Sequence, residues 1–397
     1  MAVVNSNPNP ASAKNLLLQG KVGRAIAELD MLQRDAGSDH VLLQQIAEIY
    51  VKCGQHERAG HCYERAAKLQ PRNPDYLYNL ATSKTALGDI EEAGKLFTEV
   101  IRLRPDDHGA WLNRSSLVKQ TEQSNHVEEL TFVKAHLTED HPGHIPICYA
   151  LARELEDIER YDESFAFLQE GSVRRRQRLQ YDVREDEEAM SDIARAFSPA
   201  LLESKSATPS AGRPIFVLGL PRSGTTLVDR IISSHSQVAS LGEHNMLAIG
   251  LMLETGGDIE VSKKERIERS TSIDFTSLRR RYLASIAGFG KTDARLVDKT
   301  PLNFLYIGLI RMAMPDARII HLRRNPMDSC YAMYKTLFRA GYPFSYSLQD
   351  VGRYYIAYRR LMDHWRTSIP GAFLDVNYED LVANQESETR RMLEYLD

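Results

Sequence analysis

The sequence predicts an all-α array of helical repeats followed by a three-layer α/β domain with a central parallel sheet and a P-loop-like turn. Three observations support this fold class. Small residues recur at a fixed interval through the first part of the chain. An apolar, β-rich segment runs into a glycine-bracketed turn at 215–224. Beyond that turn, short apolar segments alternate with helical patterns, as they do in sheets with right-handed crossovers.

The repeats have a period of 34 residues, the tetratricopeptide period. The residues that keep this interval are Gly20, Gly54 and Gly88; Ala25, Ala59 and Ala93; and Pro71 and Pro105. Glycine makes the turn inside a helix pair, alanine lets two helices approach closely, and proline ends a unit. We therefore expect a tetratricopeptide solenoid over 1–203. Its groove either binds a peptide or partner protein, which we favour, or only extends the structure.

Composition and charge narrow the class of protein. A chain of 397 residues with 43% apolar residues can build two cores, and 204–213 has the small and polar residues of a linker. No apolar run is long enough to cross a bilayer, and no secretory signal is visible at the start. The net charge is -7 for 1–213 and +3 for 214–397. We expect no membrane insertion and no nucleic-acid partner.

The cysteines point to a reducing compartment. The chain contains Cys53, Cys62, Cys148 and Cys330, which form neither a paired zinc spacing nor a dense disulfide framework. We therefore expect a cytoplasmic protein with no metal site. The oligomeric state is left open by the sequence.

The segment 215–227, IFVLGLPRSGTTL, has the pattern of an anion-binding loop. A buried parallel strand leads to Gly219 and, five residues later, to Gly224, after which two threonines open a helix. Backbone N–H groups after Arg222 should converge on an anion at the helix N-terminus. A nucleotide triphosphatase would carry lysine at position 225, where this chain has Thr225. A nucleotide kinase or triphosphatase is therefore disfavoured.

This loop resembles the 5'-phosphosulfate loop of sulfotransferases that use 3'-phosphoadenosine 5'-phosphosulfate (PAPS) as donor. Three other segments are similar to motifs of the same family. They are 322–328, LRRNPMD, which is similar to the 3'-phosphate segment; Gly242-Glu243, at the spacing of the tyrosylprotein branch; and Asp298-Lys299-Thr300-Pro301, whose lysine matches the catalytic lysine. The resemblance covers most of 214–397. In organisation the chain is similar to bacterial sulfotransferases that carry helical repeats before the catalytic domain.

The resemblance implies that PAPS is the co-substrate and that the reaction needs no metal. The residues expected to hold the donor are Arg222, Ser223, Gly224, Thr225, Thr226 and Leu227 in the first loop, and Arg324 with Ser329 in the second. The family normally has a serine eight residues after this arginine, whereas this chain has Ala332. Ser329 lies one helical turn earlier on the same face and is the expected substitute. Arg323 and Lys335 are further candidate cations.

Sulfuryl transfer requires a base for the acceptor hydroxyl and positive charge near the leaving phosphate oxygen. The resemblance assigns the base to Glu243, on condition that this carboxylate is buried and within hydrogen-bond reach of the acceptor. His244 is the rival base. Lys299 and Arg222 would stabilise negative charge that develops in the transition state.

We therefore predict a PAPS-dependent sulfotransferase that acts on an acceptor hydroxyl. A tyrosine in a peptide bound through the repeats is one acceptor, and carbohydrate, lipid or small-molecule hydroxyls are the others. The alternative is a repeat-based interaction scaffold whose sulfotransferase domain binds nucleotide but is inactive. Ala332 favours this alternative, and so does Asp397, which ends the sequence within a predicted helix. The domain over 214–397 is accordingly expected to be truncated at its C-terminus.

Overall fold

The structure is a computed structural model that describes residues 9–204, 213–257, 261–289 and 294–397. Its contacts divide the chain into two compact units. The first unit comprises the described residues up to Lys14, Ile26–Tyr181 and Tyr334–Ser347. The second comprises Asn15–Ala25, the described part of Asp182–Met333, and Leu348–Asp397.

The division by contacts falls at Asp182, upstream of the predicted linker 204–213. The helix Val183–Ala196 explains the difference, because its buried residues Met190 and Ile193 contribute to the second unit. Within that unit, Arg353 Nε also donates to Glu187 Oε1 at 2.9 Å. Most of the predicted linker, 205–212, lies outside the described residues. The boundaries of the domains 1–203 and 214–397 stay a prediction.

Helices make up the regular structure before the first strand. In the described residues these are α1 (Pro10–Leu18), α2 (Val22–Asp35), α3 (His40–Lys52), α4 (His56–Leu69), α5 (Pro74–Leu87), α6 (Ile90–Leu103), α7 (His108–Ser115), α8 (Val127–Ala135), α9 (His144–Asp157), α10 (Tyr161–Gln177), α11 (Val183–Ala196) and α12 (Pro199–Ser204).

The tetratricopeptide pattern is confirmed in the first unit. Helices α3 and α4 pack as a pair, and so do α5 and α6. Gly54 and Gly88 lie in the turns of these pairs with φ of 67° and 87°, a left-handed backbone that glycine adopts without steric cost. Ala59 and Ala93 are fully buried, as close helix packing requires. The predicted period therefore corresponds to structural repeats.

Strands and helices alternate from residue 215 onward. The described elements are β1 (Ile215–Gly219), α13 (Thr225–Ser233), β2 (Val238–Ser240), α14 (Met246–Glu254), α15 (Lys263–Ser270), α16 (Phe275–Ala287), β3 (Arg295–Asp298), a 3₁₀ helix (Pro301–Tyr306), α17 (Ile307–Ala313), β4 (Arg318–Arg323), α18 (Pro326–Tyr334), a second 3₁₀ helix (Pro343–Tyr346), α19 (Leu348–Ser368), β5 (Leu374–Asn377), α20 (Tyr378–Ala383) and α21 (Gln385–Leu396).

Within the described ranges the strands form one parallel sheet in the order β2-β3-β1-β4-β5. The sequence predicts strands at 215–218, 295–297, 318–322 and 372–376, which correspond to β1, β3, β4 and β5. It does not predict β2, because this edge strand has three residues, all partly exposed, and so lacks an apolar pattern. The carboxyl ends of parallel strands share one edge, where the loops meet.

Alternate residues of β1 face two different helical layers. Ile215 and Val217 belong to a buried cluster that includes Val228 of α13 and Met392 of α21. Phe216 faces the other side and stacks on Tyr282 of α16, with ring centroids 5.6 Å apart. The predicted three-layer α/β arrangement is therefore confirmed.

A buried polar network joins β4 to β5 and α19. His321 is 1% exposed, its Nδ1 lies 2.5 Å from Asp375 Oδ1, and its Nε2 lies 2.5 Å from the Tyr358 hydroxyl. Arg366 donates to both oxygens of Asp375 at 3.0 Å. Burial lowers the pKa of His321, although the Asp375 carboxylate opposes this shift. In a neutral imidazole, Nδ1–H donates to Asp375 and Nε2 accepts from Tyr358.

We expect this network to make the protein less stable in mild acid. The pKa of His321 is lowered in the folded state, so its contribution is fully present above about pH 6.5 and is lost as the pH falls through the folded pKa. Urea unfolding at successive pH values should show that the free energy of unfolding falls by about 1.4 kcal/mol per pH unit between about pH 6.5 and the folded pKa. The variant His321→Gln should lack this part of the pH dependence, and equal slopes for both proteins would contradict the prediction.

Gly224 allows a close contact that a side chain would block. Its φ is 103°, and a Cβ at this position would lie 2.5 Å from Cδ2 of Tyr378. We expect Gly224→Ala to lower the free energy of unfolding by about 2 kcal/mol or more, because left-handed strain and overlap add. Gly371→Ala is the matched control, since Gly371 has φ of 74° but no atom within 4 Å. The control should lose only about 1 kcal/mol, and equal losses would show that Tyr378 is unimportant.

Candidate functional site

The first loop joins β1 to α13 and leaves the start of that helix open. Arg222 has φ of 65° and Gly224 has φ of 103°, which reverses the chain before the helix. No side chain of the described residues caps α13 at Gly224. The N–H groups of its first turn, in Thr225, Thr226 and Leu227, can therefore donate to an anion, which the helix dipole also favours.

Arg324 connects the second loop to the first. Its Nη1 donates to the carbonyl oxygen of Arg222 at 3.0 Å, and its guanidinium carbon lies 4.7 Å from the ring centroid of Tyr378. The loops can approach because Gly219 has no side chain, since a Cβ there would lie 2.6 Å from the Leu322 carbonyl oxygen. The two sequence motifs therefore form one structural site.

A small pocket between the loops contains buried polar atoms that lack partners. Ser223 Oγ, Arg324 Nε and Arg359 Nε line it, and none has a hydrogen-bond partner in the described part of the chain. An unpartnered buried donor costs about 1–3 kcal/mol, so a ligand atom that accepted hydrogen bonds from these groups would be stabilising. The buried Ser329 also lines the pocket, whereas Ala332 does not.

Glu243 and Lys299 meet at the carboxyl ends of β2 and β3. Lys299 Nζ lies 2.5 Å from Glu243 Oε1, and Lys299 N donates to the Gly242 carbonyl at 3.1 Å. The lysine side chain is 9% exposed and the glutamate side chain 52%. The condition that Glu243 be buried is therefore not met, because this side chain projects from the sheet edge. An ammonium group has three N–H donors, so two donors of Lys299 remain for another acceptor.

His244, the rival base, is directed inward. Its side chain is 3% exposed, and its Nε2 lies 3.5 Å from Asp298 Oδ2. The ring also lies near the rings of Tyr282 and Phe289, and Nδ1 accepts from the backbone N–H of Met246 at 3.3 Å. A base must come within hydrogen-bond reach of the proton that it removes. The exposed Glu243 meets this requirement better than the buried imidazole.

Asp298 and Thr300 hold the segments that carry Glu243 and Lys299. The hydroxyl of Thr300 lies 2.6 Å from Asp298 Oδ1 and 3.0 Å from the carbonyl oxygen of His244. The buried Tyr282 donates to Asp298 Oδ2 at 3.0 Å. The sequence motif includes Asp298 and Thr300 but gives no sign of Tyr282, because this tyrosine belongs to helix α16.

Further residues at the loops escaped the sequence reasoning. Arg359 and Tyr358 lie on α19, whose amphipathic pattern predicts core packing and nothing more. Tyr378 and Glu379 follow β5, and Glu379 Oε1 accepts from the backbone N–H of Asn325 at 2.8 Å. None of these four residues belongs to a recognisable motif. Only the order of the strands brings them to the loops.

The two other candidate cations have different surroundings. Arg323 lines the small pocket beside Arg324. Lys335 instead forms an ion pair with Glu156 at 2.7 Å. Of the two, the geometry favours Arg323 as a contributor of positive charge to the pocket.

The described ranges contain neither a candidate metal site nor a candidate membrane span. No group of three or more His, Cys, Asp or Glu side chains in them is arranged to hold a metal ion. None of their helices is both long and apolar enough to span a bilayer.

Protein-family models match residues in both parts of the chain. The model described as the sulfotransferase family matches residues 214–397. Two models, described as TPR repeat and tetratricopeptide repeat, match 47–84 and 74–107. These matches agree with the two resemblances drawn from the sequence.

Several known proteins are similar to this chain. An uncharacterized protein of Aquifex aeolicus (strain VF5) is 28% identical over 352 residues, which cover 85% of this chain and 45% of that protein. Protein-tyrosine sulfotransferase A of Caenorhabditis elegans is 25% identical over 191 residues, which cover 46% of this chain and 49% of that protein. The chain thus spans about half the length of these two relatives.

Among solved structures, sulfotransferase STF9 of Mycobacterium avium aligns with a TM-score of 0.33 and 16% identity, over 70% of this chain and 84% of that one. MamA aligns with a TM-score of 0.34 and 12% identity, over 43% of this chain and 97% of that one.

The family models cover the two loops, the Glu243–Lys299 pair and the helical repeats. Residues 214–397 therefore belong to the sulfotransferase family, and tetratricopeptide repeats precede them in the chain.

Proposed function

We propose that the chain is a PAPS-dependent sulfotransferase that transfers a sulfuryl group to an acceptor hydroxyl. Four features of the structure meet at one edge of the parallel sheet, and this observation carries the proposal. They are the open N-terminus of α13, the linking Arg324, the buried unpartnered donors, and the ion pair of Glu243 with Lys299. This arrangement suits a donor with two anionic ends and a reacting group between them.

Each loop would hold one end of the donor. The first turn of α13 and Arg222 would bind the 5'-phosphosulfate through N–H groups and positive charge. Arg324 and Ser329 would bind the 3'-phosphate, and Arg359, which lines the same pocket, would add a cation. PAPS supplies the activated sulfuryl group, and the chain supplies orientation and fixed positive charge.

Glu243 and Lys299 would carry out the proton and charge chemistry. The Glu243 carboxylate would accept the proton of the acceptor hydroxyl, which it can reach because it is half exposed. Lys299 would donate to the departing phosphate oxygen with an N–H that Glu243 does not use. Negative charge grows on that oxygen mainly in the transition state, so this contact favours catalysis over substrate binding.

The acceptor is the less constrained part of the proposal. Protein tyrosine is one candidate, supported by the Gly242-Glu243 spacing and by similarity to a protein-tyrosine sulfotransferase. The repeats suit a peptide or protein partner. The cysteine usage supports a cytoplasmic location. An inactive interaction scaffold is less favoured, because binding a partner through the repeats would not require an accessible Glu243 beside Lys299.

We expect adenosine 3',5'-bisphosphate to bind the purified chain without added metal, as measured by isothermal titration. Arg222→Ala, Arg324→Ala and Arg359→Ala should each weaken binding by about 10- to 100-fold, because each removes a charge-assisted hydrogen bond. Arg360→Ala is the matched control, since Arg360 is the exposed neighbour of Arg359 on α19. Equal binding by ATP, or no heat from folded protein, would contradict the assigned donor.

We expect Glu243→Gln and Lys299→Met to separate binding from turnover. Transfer of labelled sulfate from PAPS to a tyrosine peptide or to 2-naphthol should fall by about 10²- to 10⁴-fold, because the base or the cation is removed. Affinity for adenosine 3',5'-bisphosphate should stay within about 3-fold of wild type. Glu394→Gln, which removes an exposed carboxylate of α21, should leave both quantities unchanged.

The wild-type result decides between the two candidate functions. Binding of the bisphosphate together with transfer to either acceptor supports the enzyme. Binding without transfer to the peptide, to 2-naphthol, to carbohydrate or lipid hydroxyls, or to water would favour the interaction scaffold.

A further inference from the structure

A cleft of about 410 Å³ lies in the second unit, where the turn between α1 and α2 packs on α16. Residues 19–24 form one wall, and one face of α16 with the residue that follows it forms the other. Sites for small molecules typically measure about 300–1,000 Å³, so the cleft is large enough for a ligand. It includes no residue of the two loops and neither member of the Glu243–Lys299 pair, so the proposed function does not account for it.

Glycines allow the two walls to approach closely. Gly20 has φ of 71°, and a Cβ at this position would lie 2.8 Å from Ser285 Oγ. A Cβ on Gly23 would lie 3.2 Å from Cα of Gly288, which is closer than ordinary van der Waals contact. Close backbone packing therefore holds the turn against α16 and keeps the side chains of the two walls side by side.

The wall formed by residues 19–24 carries two cations without a carboxylate partner in the described part of the chain. Lys21 Nζ donates to the neutral Gln19 Oε1 at 2.7 Å. Arg24 has no hydrogen-bond or ion-pair partner among residues 9–204, 213–257, 261–289 and 294–397. The N–H groups of the Arg24 guanidinium therefore remain for a ligand.

The wall formed by α16 adds two more cations. Arg280 Nη2 has only the Ser277 hydroxyl oxygen, at 3.4 Å, as a partner within the described ranges. Arg281 Nε donates to Glu254 Oε1 at 3.0 Å. None of the described residues that line the cleft is acidic, so four cations face the single carboxylate of Glu254 behind them. Like charges brought together repel, and a bound anion removes this repulsion.

The composition of the lining favours a small, hydrophilic polyanion over a macromolecule. A protein partner normally inserts apolar or aromatic anchors, but the apolar lining of the cleft is limited to Val22, which is 1% exposed, and Ala284. The described lining contains no aromatic ring on which a nucleic-acid base could stack. Guanidinium groups instead match phosphate groups, which accept two parallel hydrogen bonds from one arginine.

We propose that this cleft binds a compact ligand with two or more phosphate groups through Lys21, Arg24 and Arg280. A free oligophosphate and a phosphorylated sugar both have this chemistry. The inference goes beyond the proposed function and does not depend on it, because the cleft shares no residue with the donor loops or with the Glu243–Lys299 pair.

The test is isothermal titration of the whole chain at low salt, with tripolyphosphate as the free oligophosphate and fructose 1,6-bisphosphate as the phosphorylated sugar. Wild-type protein should bind at least one probe, and the tighter probe identifies the source of the phosphate groups. Arg24→Gln and Arg280→Gln should each weaken binding by about 3- to 10-fold, because each removes charge-assisted hydrogen bonds. The double variant should weaken binding by at least about 10-fold.

Lys264→Gln is the matched control. It removes one positive charge from an exposed position of α15 outside the cleft and should leave binding of the probes unchanged. Added KCl should weaken binding, because salt screens exposed charges. Thermal unfolding of each variant verifies that it is folded.

Four outcomes would overturn the inference. They are wild-type protein that binds neither probe, equal weakening by Lys264→Gln, loss of probe binding in folded Arg324→Ala, and tighter binding of a polyglutamate peptide than of either probe. The third outcome would assign the probe to the donor loops, and the fourth would indicate a protein partner.

Titration with adenosine 3',5'-bisphosphate keeps the cleft apart from the donor site. The double variant of Arg24 and Arg280 should bind the bisphosphate with the affinity of wild type. If the bisphosphate binds but neither probe does, the cleft inference fails and the donor assignment stands. If a probe binds through Arg24 and Arg280 but the bisphosphate does not bind, the donor assignment fails and the cleft inference stands.

Discussion

Parallel pairing on both sides of β1 is the constraint on which the site depends. Phe216 is in register with Asp298 of β3 and with Ile319 of β4, so the three strands end at the same edge. A shift in either pairing would move one loop along the strand direction by about 3.3 Å per residue. If β4 shifted against β1, Arg324 would miss the Arg222 carbonyl, and the two loops would no longer form one site.

The small pocket between the two loops is formed at an energetic cost. Ser223, Arg324 and Arg359 each bury a polar atom that is unpartnered in the described residues, and Arg222 has a left-handed backbone. Both features oppose folding and persist because the surrounding structure holds them in place. The network of His321 belongs to that surrounding structure, since its partner Tyr358 lines the same pocket as Arg359. The His321 network thus stabilises the structure beneath the site, whereas the unpartnered atoms and the strained backbone of Arg222 lower the stability of the site itself.

Local sequence patterns predict the features that depend on neighbouring residues in the chain. The 34-residue period follows from turns and close packing inside short helix pairs, and Gly219 and Gly224 follow from a turn that requires glycine. Strands β1 and β4 were predictable because continuous apolar runs of this kind are buried in a parallel sheet. The family motifs that carry Arg222, Glu243 and Lys299 are also local.

Packing between distant segments of the chain determines which side chains surround those motifs. Arg359 reaches the small pocket between the loops from α19, Tyr378 covers Gly224 from beyond β5, and His244 is buried while Glu243 is exposed. The short edge strand β2 forms because β3 offers it backbone partners, although its own residues lack an apolar pattern. The physical reason is the same in each case. These contacts join residues far apart in the chain, and no local sequence pattern indicates which residues the order of the strands will bring together.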